Sequence, residues 1–313
     1  MARSSRAAPA APVAWRDGVH LTGTPIWCDA RRRRDVCFAS SADRVATTGH
    51  GKLIATPTTL ALVDAAADAG NLAVPLRKPF TLGTLRLELL ASGRCIGAAM
   101  LHVDARGRTA LYAGPIRVPE ADVRACDALV VAAPFGEAHH VFRPRAEVAE
   151  RVVAWVRAER VAKHVPIAVV DTPLDGLEVA GMLADAGFAV AAGKSIRDAA
   201  ARLPEVGARL VAKDADVIVR TERDRIKSSA PTALIAGRAI DRHAYALGFA
   251  WPFAAGRAEL LAWIEHTRAK EIFVTGPCAE AIVAKLNARG RSEAQRARVL
   301  GPPTQMTLFE AAR

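Results

Sequence analysis

Imidazoles, thiols and paired carboxylates are the side chains that most readily carry metal or acid–base chemistry, so their spacing in this 313-residue chain is the starting point. Eight histidines are spread along it, and only His139 and His140 are neighbours. Adjacent imidazoles seldom chelate one ion, and a ligand site needs supporting groups behind it, so the pair reads as part of a surface loop. Five cysteines (Cys28, Cys37, Cys95, Cys126 and Cys278) are odd in number and never form a Cys-x-x-Cys pair. That spacing argues against a disulfide framework or a zinc ribbon and points to a reducing compartment. The stretch GFAVAAGKS, residues 187–195, approaches a phosphate-cradling loop, but five residues rather than four separate Gly187 from Gly193. Its apolar part, 188–190, is better used as a strand.

Charge is the second chemical signal. Lys and Arg number 43 against 32 Asp and Glu, a formal net charge of +11. Such an excess favours polyanions through steering and counterion release, and nucleic acid is the first candidate. An Arg-rich codon usage gives the same balance, so charge alone leaves both readings open. The run Arg31 to Arg34 is a backbone contact or a solvated turn, and charge runs of this kind usually read as the latter.

The elements that must position these groups follow from hydrophobic patterning. With 51% hydrophobic and 24% charged residues the chain has the composition of a globular protein with a real core. Residues 1–14, rich in Ala, Pro, Arg and Ser, read as a flexible tail without a signal-peptide core, and no run reaches membrane-spanning length; the expected location is cytoplasmic. Strand-length apolar runs follow at 35–39, 53–55, 82–90, 95–103, 109–112 and 128–132. From residue 145 the rhythm alternates: helices over 145–163, 174–186, 195–203, 257–267 and 279–289 interleave with strands at 167–170, 216–219, 234–235 and 271–275, which predicts parallel pairing. Over 291–313, Gly301-Pro302-Pro303 should end regular structure and leave a projecting tail.

Several segments together resemble one family. FASSADRVATTGHGKLIATPTTLALV, residues 38–63, is similar to the signature region of metallo-β-lactamase-fold nucleases, in which a strand ends in His-x-His-x-Asp-His. Gly49-His50-Gly51 and Ala55-Thr56-Pro57 match segments of the ligase-associated DNA exonuclease branch. Residues 79–115 resemble the strands that lead to its Ser-Gly-His and Ser-Gly-Asp, 127–136 its strand ending in Glu-Ser-Thr-Phe-Gly, and 271–290 its Val-Thr-His-Gly turn. The middle, PIAVVDTPLDGLEVAGMLADAGFAV, resembles the inserted β-CASP lobe. The resemblance implies an α/β fold: a metallo-β-lactamase αβ/βα four-layer sandwich with a small β-CASP-like α/β lobe. Its implied boundaries are a tail at 1–14, a first sandwich part at 15–142, the lobe at 143–240, a second sandwich part at 241–298 and an extended tail at 299–313.

In ungapped register the metal-binding motifs of this family are degenerate. The first falls on Ala39, Ser41, Asp43 and Arg44, and only the aspartate survives. The histidine of Ser-Gly-His falls on Arg94 behind an intact Ser92-Gly93, and the aspartate of Ser-Gly-Asp falls on Pro115. Ala132 stands for the acid of the Glu-Ser-Thr motif, Gly276 for the histidine of Val-Thr-His-Gly, and residues 250–253 for Ser-Asp-His-Ala. Two-metal hydrolysis needs imidazoles and carboxylates around both ions, so the resemblance implies no metal, no cofactor and no catalysis. Arg44 and Arg94 beside Asp43 suit two readings: guanidinium forks that grip a phosphate backbone, or an ion pair that neutralises a vacated pocket.

Near the C-terminus, Gln305-Met306-Thr307-Leu308-Phe309 resembles the pentapeptide that docks on the bacterial sliding clamp, with Gln as polar anchor and Leu-Phe for an apolar pocket. The other reading has Leu308 and Phe309 packing back onto their own domain. Taken together, the expectation is a pseudoenzyme: a nucleic-acid-binding or scaffold accessory factor in DNA repair or replication, with DNA favoured over RNA. It would be recruited by the clamp or by an active nuclease or ligase partner, away from membranes. The alternative is an active DNA or RNA exonuclease with a rebuilt metal site; a third reading is a structural partner that has lost nucleic-acid binding.

Overall fold

Short strands bury their apolar faces only by pairing into sheets and stacking those sheets. A computed structural model describes residues 12–45, 49–66, 68, 70–207, 209–224, 229–241, 243–288, 290 and 296–302. The first sheet joins β1 (Val13–Trp15), β2 (Val19–Leu21), β3 (Ile26–Cys28), β4 (Val36–Phe38), β5 (Lys52–Ala55) and β6 (Leu72–Ala73) in that order. Its β1, β2 and β3 are antiparallel neighbours, whereas β3 to β6 run parallel. The β1–β2 turn uses Gly18 at φ +146°, where an added Cβ would lie 2.6 Å from the Ala30 Cα, so only glycine lets this hairpin lie so close to the loop after β3. Helix α1 (Pro57–Leu62) follows β5 with proline in its first turn, and the Thr56 side chain accepts from the Thr59 N–H at 3.1 Å as its cap.

The second sheet begins as an antiparallel meander of β7 (Phe80–Leu82), β8 (Leu85–Ala91), β9 (Ala99–Ala105) and β10 (Arg108–Gly114), to which β11 (Ala128–Ala132) adds in parallel. The chain then leaves this sheet. Helix α2 (Arg145–Val161), β12 (Ile167–Val170), α3 (Pro173–Asp185), β13 (Val190–Ala192), α4 (Lys194–Ala200), α5 (Pro204–Gly207), β14 (Val217–Thr221), β15 (Thr232–Ala236) and β16 (Leu247–Ala250) build a separate lobe. Its all-parallel sheet has the order β13-β14-β12-β15-β16. Every residue of β12 is buried, as a strand covered on both faces requires. Helix α6 (Arg257–His266) leads back to β17 (Glu271–Thr275), which pairs with β11 from Ala128↔Glu271 to Ala132↔Thr275. Helix α7 (Ala279–Asn287) and β18 (Ala297–Val299) complete a seven-stranded sheet, so the lobe is an insertion between two adjacent parallel strands.

The two larger sheets share one core, in which Phe38 and Ile54 of the first meet Leu87, Leu101, Val130 and Phe273 of the second. Leu60 of α1 covers the outer face of the first sheet, and Trp263, Ile264, Ile282 and Leu286 of α6 and α7 cover that of the second. The protein is thus a mixed α/β fold of three sheets, two of them in a helix–sheet–sheet–helix stack. No described helix is long and apolar enough to cross a membrane.

Several sequence expectations need correction. Strand β1 begins at Val13, inside the expected 1–14 tail, because Val13 pairs with Leu21 and is buried in the shared core. The lobe sheet runs to Ala250, past the expected 240/241 boundary, since β16 pairs with β15 and not with the second sheet. Strand β18 lies in the segment expected to lack regular structure and reaches Val299, the first residue of the expected tail; Asn287 at the end of α7 brackets Ala297 with two hydrogen bonds. In GFAVAAGKS the strand is Val190–Ala192 instead of 188–190, and Gly193 caps α4. Leu101 sits at 0% exposure in the shared core, so Leu101→Ala is expected to lower the unfolding free energy by about 2–5 kcal/mol. Urea denaturation followed by circular dichroism measures it, and a midpoint like that of the wild type would contradict this placement of the core.

Candidate functional site

Parallel strands finish at a common edge, and ligand sites of α/β sheets gather where their carboxyl ends lie. Strands β3, β4 and β5 are parallel in one sheet, and β10, β11 and β17 in the other. Residues distant in sequence therefore meet there. Ala39, Ser41, Asp43 and Arg44 follow β4, Arg94 follows β8, Pro115 follows β10, Ala132 ends β11 and Gly276 follows β17. Ala39, Ser41, Pro115 and Ala132 are buried, and Asp43 and Arg44 stand in the 3₁₀ turn Ala42–Arg44.

The floor of this edge is a carboxylate that sequence reasoning missed. Asp29, directly after β3, accepts from the Ser40 backbone N–H at 2.8 Å, the Ser40 hydroxyl at 2.6 Å and the Tyr112 hydroxyl at 2.8 Å. Ser40 continues β4 and Tyr112 belongs to β10, so one side chain ties the two sheets together. Burial holds the Asp29 carboxyl above its usual range, against the opposing pull of the Arg44 charge and of its three donors. Burial, followed by the neighbouring Asp29, likewise drives the Tyr112 phenol well up. An acid placed immediately after the apolar Ile-Trp-Cys strand was the available signal.

Beside Asp29 opens a cavity of about 160 Å³, lined among others by Trp15, Arg31, Arg44, Ala132, Thr275 and Gly276. Three of the degenerate ligand positions, Arg44, Ala132 and Gly276, thus face one space. The described residues give neither Arg31 nor Arg44 a carboxylate within 4.0 Å; the neighbouring Arg32 pairs instead with Asp17 at 3.2 Å.

Arg94 and Asp43 are turned elsewhere. Arg94 meets Asp175 of α3 at 2.6 Å and Asp43 at 3.7 Å, with the Phe253 ring centroid 5.4 Å from its guanidinium. Asp43 also accepts the Ser41 hydroxyl. The Arg94 side chain is 14% exposed and that of Asp175 1%, which makes this a buried ion pair between sandwich and lobe. Burial opposes the Arg94 charge, yet Asp175, Cys95 and Asp43 together hold it above its usual range; burial raises the Asp175 carboxyl and Arg94 opposes the rise. A second cluster lies one turn along α3: Glu178 receives Arg117 at 2.8 Å, Arg145 at 3.2 Å and the Trp251 indole N–H at 3.0 Å. The two arginines expected to share a cleft are therefore divided. Ion pairing describes Arg94, and Arg44 alone faces the cavity.

These groups do not fit a metal pair. Ala39, Pro115, Ala132 and Gly276 bring no side-chain donor, two positions carry permanent cations, and the one carboxylate already takes Ser41 and Arg94. His139, His140 and Asp241 do cluster, with Asp241 at 2.7 Å and 3.2 Å from the two Nε2 atoms. The His140 Nδ1, however, accepts the backbone N–H groups of Gly136 and Glu137 at 3.0 and 3.1 Å. That fixes the neutral tautomer with its proton on Nε2, which donates to Asp241 and leaves no lone pair for a metal. The pair is not a simple surface loop either, because His140 is 5% exposed and staples the segment after β11 to the lobe. The pentapeptide Gln305 to Phe309 lies outside the described residues.

No protein-family profile matches the chain, and no curated protein matches it significantly. The crystal structure of a protein of unknown function from Enterococcus faecalis V583 is similar in fold, with a TM-score of 0.55 over 85% of this chain and 79% of that one. At 10% identity the likeness concerns the fold alone.

Removing one partner from a buried pair leaves the other charge uncompensated, so Arg94→Ala is expected to cost about 3–5 kcal/mol of stability near pH 7. Asp175 is shifted upward, so its neutral form, which needs no partner, is populated as pH falls. The Arg94→Ala deficit should therefore shrink as the pH is lowered from neutrality, as chemical denaturation across a pH series would read. A deficit that stays constant would mean that the Asp175 charge is not its source.

Proposed function

We propose that the protein is a metallo-β-lactamase-fold, β-CASP-like pseudoenzyme that holds nucleic acid at the edge described above and does not cut it. Arg44 carries the reading. It stands where the family places a metal ligand, it lines a cavity, and no described carboxylate lies within ion-pair distance. The helix–sheet–sheet–helix stack and the lobe inserted between β11 and β17 support the family assignment, as do the motif remnants. The net charge of +11 supports a polyanionic partner, DNA before RNA.

In this reading Arg94 is a positioning residue that holds the lobe through Asp175, and Arg44 is the phosphate contact. The protein would act in the cytoplasm as an accessory factor in DNA repair or replication, alongside an active nuclease or ligase. Recruitment by the sliding clamp is assigned to Gln305, Met306, Thr307, Leu308 and Phe309. The Leu300 N–H donates to the Val274 carbonyl at 2.8 Å, which extends the pairing of β18 with β17 by one residue toward the edge of the cavity.

Three experiments test the proposal. In fluorescence anisotropy with a labelled DNA strand, Arg44→Ala is expected to weaken binding and to reduce the slope of log affinity against log salt by about one unit. An unchanged slope would remove Arg44 from the interface. Stoichiometric zinc or manganese in the purified protein, together with chelator-sensitive nuclease activity, would replace the proposal with the rebuilt-site exonuclease. For the tail, a clamp pull-down is expected to succeed with wild type and fail with Leu308→Ala, Phe309→Ala, and equal capture or equal failure of both would remove the clamp from the scheme.

A further inference from the structure

We infer that the opposite end of the sandwich holds a second ligand site, a cavity of about 440 Å³ that takes a small molecule with an apolar body and a carboxylate head. It lies where β10 and β11 begin, at Thr109 and Ala128, whereas the edge described above lies where β11 and its parallel neighbours end. The two cavities share no lining residue, and this inference does not depend on the nucleic-acid reading.

The apolar body follows from the floor. Leu21 of β2, Leu85 of β8, Val103 of β9 and Ala128 of β11 belong to the core shared by the two sheets and also line this cavity. The end of the core is thus open to a ligand, and an apolar group entering it takes surface of both sheets out of water. The volume falls in the range of about 300–1,000 Å³ typical of pockets that bury small molecules. A free phosphate or a sugar would have nothing to bury against such a floor, which restricts the ligand to amphipathic molecules.

The charged head follows from the rim. Arg106 and Arg108 line the mouth and are exposed, and among the described residues neither has a carboxylate within 4.0 Å. They flank Gly107 in the β9–β10 hairpin, where the Arg108↔Ala105 pairing leaves Arg106 and Gly107 as a two-residue turn. Both turn residues have positive φ, +57° and +81°. Asn-Gly is the ordinary occupant of such a turn, because an L side chain is crowded in the left-handed region. An arginine held there at a conformational cost points to a role for its guanidinium. The Thr22 and Thr84 hydroxyls on the same rim have no hydrogen-bond partner among the described residues and add two more donors.

One lining acid, Asp127, would oppose an anion if it were free. Its carboxylate is instead taken by Lys270 at 2.7 Å and by the Thr109 N–H and hydroxyl at 2.8 and 3.0 Å. Guanidinium forks above an apolar floor therefore match a carboxylate on a hydrocarbon body. A phosphate monoester on the same body shares the anionic chemistry, and the choice of probes separates the two.

The test is calorimetric titration of the full chain with octanoate, octyl phosphate and octanol, which share a tail and differ in the head. Octanoate is expected to bind about tenfold more tightly than octanol, as a charge-assisted contact would give, and to raise the thermal midpoint by binding the folded state. Arg108→Ala and Arg106→Gly should each bring that ratio toward one. The glycine variant separates ligand contact from architecture, since glycine suits the positive φ and should leave the thermal midpoint unchanged or higher. Ala110→Leu, which fills the cavity from β10, should abolish binding of all three probes. Equal binding of octanoate and octanol, or an octanoate affinity indifferent to both arginine variants, would overturn the anionic head. Octyl phosphate binding tenfold more tightly than octanoate would overturn the carboxylate in favour of a phosphate ester, and absence of binding by every probe would overturn the site. Each of these outcomes leaves the nucleic-acid reading of the other edge as it stands.

Discussion

Asp29 is held by three donors that belong to two different sheets, and the geometry of the strand-end edge depends on it. Ser40 fixes the turn after β4, and Tyr112 brings β10 of the opposing sheet to the same carboxylate. The Ser40 carbonyl also accepts the Ala99 N–H at 2.8 Å, so this turn is clamped from both sides. A polar group placed at a sheet–sheet junction is stable only when its bonds are made, and here they are made by Ser40 and by Tyr112, which also lines the cavity. Because the carboxylate is satisfied, Arg44 need not collapse onto it and can face the space beside it.

Charge is divided across the edge in a way that separates architecture from ligand contact. On the lobe side, arginines and carboxylates pair at short range in a buried boundary: Arg94 with Asp175 and Asp43, Arg117 and Arg145 with Glu178. Such pairs gain little net stability over apolar packing, but breaking one is costly, so they fix where the lobe sits. On the open side, neither Arg31 nor Arg44 has a described carboxylate within 4.0 Å, and the Arg44 charge acts at longer range on the buried Asp29 carboxyl. The neighbours Asp43 and Arg44 thus serve two purposes because adjacent residues of a 3₁₀ turn point in different directions.

Some of this could be read from the residues alone. Strands 167–170 and 271–275 and the start of the helix at 145 coincide with β12, β17 and α2, because short continuous apolar runs bounded by helical segments mark strands buried on both faces. The mixed α/β character follows from the same rhythm. The short strands β1, β2, β3 and β18 were not legible, since three residues are too few for a period and their identity depends on the partner that covers them. Residue types also determined that Ala39, Pro115, Ala132 and Gly276 bring no metal donor, as a missing functional group cannot be restored by folding.

Tertiary structure decided which charges are free. In the sequence Arg44 and Arg94 are equivalent, two cations at positions that the resemblance aligns with metal ligands, and nothing local distinguishes them. Asp175 and Glu178, which commit Arg94 and Arg117, arrive on a helix of the inserted lobe from far along the chain. The Asp29–Tyr112 bond likewise spans two sheets. Ion pairing and burial are properties of distance in space, and only the placement of the lobe against the strand ends sets those distances.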